Sequence, residues 1–104
     1  MSRTDSTPVV FRKWPGTGGV IALFPTLPSD IFLSHCTSYM RLGQHGGANY
    51  SYVVECTQSA TPEEYAELKQ ELEELGYTLK VVARATAAMH EERRQAGIAA
   101  LRRG

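Results

Sequence analysis

TPEEYAELKQELEELGYTLKVV, residues 61–82, decides the fold class. Thr61 supplies an N-cap hydroxyl, Pro62 suits the first helical position, and Glu64 stands three residues after the cap. The Thr61 hydroxyl can accept from the Glu64 N–H while the Glu64 carboxylate reaches back to the Thr61 N–H, a capping box. Tyr65, Leu68, Leu72 and Leu75 recur at spacings of three and four, so one face is apolar. Gly76 can end the helix in the left-handed conformation, with Tyr77 packing back on Leu72. The pattern predicts a helix over 62–75. After it, Leu79, Val81 and Ala83 alternate with Lys80, Val82 and Arg84, the period of a strand returning to a sheet over 78–85.

Upstream, VVFRKW (9–14) and VIALF (20–24) flank PGTGG (15–19). β-branched and aromatic residues favour strands, and Pro and Gly supply the turn, so a β-hairpin is expected. VIALF is wholly apolar and short, which suits a buried strand. Pro25 and Pro28 argue for a loop over 25–35, with Ile31, Phe32 and Leu33 tucked under the sheet. CTSYMRL (36–42) reads as a strand, GQHGGAN (43–49) as a glycine-rich loop, and YSYVVECT (50–57) as an alternating strand with Tyr50, Tyr52, Val54 and Cys56 on one face. The expected fold is α+β: an antiparallel sheet of four or five strands with one amphipathic helix on one face. The helix stripe is expected to pack on Val9, Phe11, Ile21, Leu23, Val54 and Val81 or their face neighbours.

The 104 residues suffice for one domain, with roughly 65% of the unfolded surface buried. Its expected limits are 9–84, after a loose N-terminus at 1–8. Residues 85–104 form an Ala- and Arg-rich tail, helical by propensity or partly disordered. Met89, Ile98 and Leu101 make only a thin apolar stripe there, so deletion of 88–104 is expected to leave the fold intact. Eleven basic residues balance eleven acidic ones, which excludes a grip on polyanions by bulk charge. No apolar run approaches the roughly 18 residues of a membrane span, and MSRTDSTP lacks the apolar stretch expected of a signal peptide. Two cysteines make no disulfide framework, so reduced thiols and a cytoplasmic location are expected.

The functional signals are local. His35, Cys36, His45 and Cys56 are separated by 1, 9 and 11 positions, without the paired close spacings of a zinc site. No metal and no cofactor is called for, and no catalytic residue is assigned. The glycine-rich stretch presents Gln44, His45 and Asn49; it lacks a following helix and the Gly-Lys-Ser/Thr ending of a phosphate loop, but its glycines allow close approach of a partner. The 62–75 helix carries Glu63, Glu64, Glu67, Glu71, Glu73 and Glu74 against Lys69. Glu67 and Glu71 are candidate contacts for a basic partner, beside the plainer reading of a solvated face. Arg93 and Arg94 are candidate phosphate contacts. The pair at 102–103 projects from the opposite side of an ideal helix, which weakens a flat nucleic-acid surface.

The string VVFRKW…VIALFP…YMRLGQHGGANY…TPEEYAELKQELEELGYTLKVV, over residues 8 to 84, resembles a family of small uncharacterised proteins of bacteria and their phages. The resemblance implies an intracellular protein with a link to mobile DNA, and it carries over no functional residue. The function expected first is a small non-enzymatic interaction or regulatory module with a protein partner. A nucleic-acid-binding module using the arginine tail comes second, and a small enzyme using His35, Cys36 or His45 third. Oligomeric state does not follow from the sequence.

Overall fold

The structure, a computed structural model, describes residues 6–16, 18–29, 35–40 and 44–103. In chain order it contains β1 (Thr7–Lys13), β2 (Val20–Pro28), β3 (His35–Met40), β4 (Gln44–Asn49), α1 (Tyr50–Cys56), β5 (Gln58–Ser59), α2 (Pro62–Glu74), β6 (Leu79–Val81) and α3 (Ala87–Arg103). The fold is α+β, as the pattern predicts. β1 to β4 form an antiparallel meander in the order β4-β3-β2-β1. The far side of β1 is shared: β5 pairs antiparallel at Arg12 and Lys13, and β6 pairs parallel at Thr7 to Val9.

Local chemistry explains the elements read correctly. The hairpin between β1 and β2 turns through Gly16 and Gly18, both at positive φ, and the Trp14 N–H donates to Gly19 O at 2.8 Å. The capping box at Thr61 and Glu64 is complete. α2 ends in a Schellman motif: the Tyr77 N–H donates to Leu72 O and the Gly76 N–H to Glu73 O, with Gly76 at φ 109°.

Several expectations change, four of them in the elements themselves. Residues 50–57 are not a strand. Asn49 Oδ1 accepts the Tyr52 N–H and caps a helix, which buries Tyr50 and Val53 one turn apart and leaves Tyr52 exposed. Residues 44–49 are not a loop but a strand paired with β3 from His35↔Asn49 to Met40↔Gln44. Glycine fits there because a Cβ on Gly47 would lie 2.7 Å from the Ser29 hydroxyl oxygen. β2 continues through both prolines, with a register break between Phe24 and Pro28 that removes the need for their amide protons. Leu75 is the C-cap and is exposed, so the buried stripe of α2 is Leu68 and Leu72 with Tyr65 beside them. The expected roles of Ile31, Phe32 and Leu33 lie outside the described residues.

The sheet is covered on both faces. On the first face, Leu68 and Leu72 of α2 pack on Val9, Phe11, Ala22, Phe24 and Tyr39. Tyr65 stacks on Phe11 at 4.3 Å between ring centroids, and Tyr77 on Phe24 at 5.0 Å. On the second face, Val10, Ile21, Leu23, Cys36 and Ala48 meet Tyr50 and Val53 of α1, and α3 lies against β2. Ile21, Leu23 and Val54 therefore face away from α2, and Val81 is exposed, contrary to the expected packing. The apolar runs in β1 and β2 leave no polar face for solvent, so a third layer has to cover them. α3 supplies part of it, with Arg93 and Gly97 buried. The tail is a helix packed on the sheet, not an appendage to a finished two-layer domain.

Candidate functional site

The structure distributes the sequence-derived candidates over three places. Gln44, His45 and Asn49 lie on β4, Glu67 and Glu71 on α2 over the first face, and Arg93 and Arg94 on α3 over the second. It does not bring them together. Asn49 is occupied as the α1 cap. Glu71 accepts the hydroxyl of the buried Tyr39, which ties α2 to β3. Much of the remaining acidic surface of α2 is internally paired: Glu64 with Lys13, Glu73 with Lys69, and Glu74 with Gln70. The Lys13 ammonium and the Thr61 N–H hold the Glu64 carboxyl below its ordinary range.

Arg93 and Arg94 separate completely. Arg94 is exposed and pairs with Glu91 at 3.3 Å. Arg93 is 6% exposed and donates from Nη1 to Pro25 O at 2.9 Å, where the register break of β2 turns a carbonyl outward. It also contacts His90 Nδ1 at 2.8 Å. An arginine only donates, so Nδ1 accepts and the imidazole is neutral with its proton on Nε2. Burial, then the Arg93 charge, push the His90 pKa below its usual value, in keeping with that tautomer. The ring also meets Tyr50 edge-on at 4.9 Å. Cys36 lies under the same layer, and its burial pushes the thiol pKa up against a weaker opposing pull from Arg93, which makes it a poor nucleophile. Arg93 thus ties α3 to β2 through Pro25 O, with His90 bracing it and packing on Tyr50, and Arg93 is not a surface contact for phosphates.

A pH dependence follows. A group with a depressed folded pKa contributes stability above its unfolded pKa and loses it as the pH falls. His90 therefore contributes fully above its ordinary value of about 6.5, and acidification below that value weakens the α3 contact. Thermal melts across this range should show His90→Gln with a flatter pH profile than the parent; an identical profile would remove His90 as the cause.

β4 is the open edge of the sheet. Among the described residues no strand pairs with its outer side. It carries no Asp, Glu, Lys, Arg or Pro, and Gly46, Gly47 and Asn49 are exposed. The opposite edge is formed by β5 and β6, which run only two and three residues. Among the described residues no three His, Cys, Asp or Glu side chains gather around a point that could hold a metal ion, and no helix is long and apolar enough to cross a membrane. Both cysteines are free thiols.

Arg12, which the sequence reading did not single out, lies at the split between β5 and β6. Arg12 reaches from β1 to the C-terminal end of α1, donating to Val54 O at 3.0 Å, Thr57 O at 2.6 Å, Thr57 Oγ1 at 2.9 Å and Ser59 Oγ at 3.1 Å. It satisfies orphan carbonyls and opposes the negative end of the helix. Beside it lies a cavity of about 490 Å³. The signal in the sequence was a pair of cations, Arg12 and Lys13, between the apolar Phe11 and Trp14. No family model matches the chain, and neither a curated protein nor a solved structure resembles it.

Proposed function

We propose that this chain is an interaction module that associates through the outer edge of β4, with a second copy of itself as the occupant. The single observation that supports the reading is an uncharged, proline-free edge strand of six residues on a sheet whose other edge is made of strands of only two and three residues. Natural sheets usually guard an edge with charge, proline or a bulge, because its free N–H and C=O groups recruit another strand. Here the strand carries none of those charges or prolines. A two-fold axis through Gly46 or Gly47 sets a glycine against its own copy, so the two backbones approach without a clash or a like-charge pair. Each chain offers one such edge, so pairing closes at a dimer. The main-chain hydrogen bonds supply the affinity, as in other strand-addition interfaces.

Sedimentation up to about 1 mM protein tests this, since that range captures even a weak dimer. The parent chain should shift from monomer to dimer with concentration. Gly46→Lys should stay monomeric while melting as the parent does, because a Cβ at Gly46 comes no closer than 3.7 Å to Ser38 Oγ and the introduced ammonium groups repel across the axis. A parent that stays monomeric throughout, or a variant that dimerises equally well, overturns the reading.

A further inference from the structure

We propose that the cavity between the C-terminal end of α1, β5 and residues 83–85 binds a small phosphate monoester. It is lined by Arg12, Tyr50, Val54, Ser59, Ala83, Arg84 and Ala85. Its volume of about 490 Å³ falls within the range of small-molecule sites, so it accommodates an organic body as well as an anionic group. The site lies on different elements from the β4 edge and does not depend on it.

Charge identifies the ligand class. Two arginines are among the residues that line the cavity, and no acidic residue is among the described ones that do. All the acceptors that hold Arg12 are neutral carbonyl and hydroxyl oxygens, so its charge is set in place without being cancelled by a carboxylate. These bonds use four of its five N–H donors and leave one on Nη1. The end of α1 offsets at most about half a unit of that charge. Arg84 is exposed and has no hydrogen bond or ion pair to a described residue, so its whole fork is available. Two cations in one concave site attract a dianion, and a phosphate monoester is the common biological dianion of this size.

Shape supports the same assignment. The Tyr50 hydroxyl accepts the Ala85 N–H at 2.7 Å, which leaves its own proton to donate. The Ser59 hydroxyl accepts from Arg12 and likewise keeps a proton. Donors therefore come from a guanidinium held by four hydrogen bonds, the exposed guanidinium of Arg84 and two hydroxyls, a set that suits three terminal oxygens better than the two of a carboxylate. Val54, Ala83 and Ala85 give the organic part an apolar wall.

The test is a calorimetric titration of the full chain with phenyl phosphate, inorganic phosphate, benzoate and phenol. Phenyl phosphate should bind saturably with a dissociation constant below about 1 mM, more tightly than inorganic phosphate or benzoate, and phenol should not bind. Backbone amide resonances of 83–85 should move during the titration. Arg84→Ala should keep the parent melting temperature, because Arg84 holds nothing in the fold, and weaken phenyl phosphate by about tenfold or more. Absence of saturable binding to the folded parent overturns the proposal. So does unchanged affinity in Arg84→Ala, and benzoate binding as tightly as phenyl phosphate overturns the phosphate assignment.

Discussion

Deleting residues 88–104 is expected to abolish cooperative folding or to lower Tm by well over about 8 °C, which at this chain length corresponds to more than about 1 kcal/mol. The deletion removes nearly all of α3, the helix lying against β2 on the second face. Val10, Ile21, Leu23 and Cys36 on that face are at most 5% exposed in the intact chain. Without α3 part of this apolar surface meets water, at roughly 25 cal/mol per Å². The bonds from Arg93 to Pro25 O and to His90 disappear with it, and Tyr50 loses the ring packed on its edge. Circular dichroism melts of the full and truncated chains decide the matter. A truncated chain that melts within about 2 °C of the parent would show that the second face is sufficiently covered by α1 alone.

The second large effect is expected for Leu72→Ala, at about 2–5 kcal/mol. Leu72 is fully buried at the centre of the first-face cluster, between α2 and Val9, Phe11, Ala22 and Phe24. Its carbonyl also accepts the Tyr77 N–H in the helix-ending motif, so the side chain anchors the residue that sets where the chain turns back toward β6. Truncation to alanine loses the transfer free energy of the removed carbons and leaves a space that the stacked Phe24 and Tyr77 rings cannot readily fill. Urea denaturation should give the loss with an unchanged slope. The same change at Leu75, 56% exposed, should cost less than about 1 kcal/mol. A loss below about 1 kcal/mol at Leu72 would contradict the packing of α2 on the sheet.

The sequence by itself determined the elements whose signals are short-range. The box at Thr61 and Glu64, the i, i+3, i+4 stripe and the positive-φ glycine each act within a few residues, so α2 was legible to within one position. The same holds for the β1–β2 hairpin, where the turn glycines and flanking strand formers agree. Tertiary structure alone decided the elements whose local signals were divided. Tyr50 to Cys56 alternates like a strand, yet Tyr50, Val53 and Val54 equally fit one helical face, and the sheet could bury that face because its second side was bare. Gln44 to Asn49 has the glycines of a loop, and only the hydrogen bonds supplied by β3 make it a strand. The candidate sites diverged for the same reason. Neighbouring residues on a helix point in different directions, so Arg93 entered the core while Arg94 stayed in water. Arg12 and Arg84 are 72 positions apart in the chain and line one cavity only because β5 and β6 share the free side of β1.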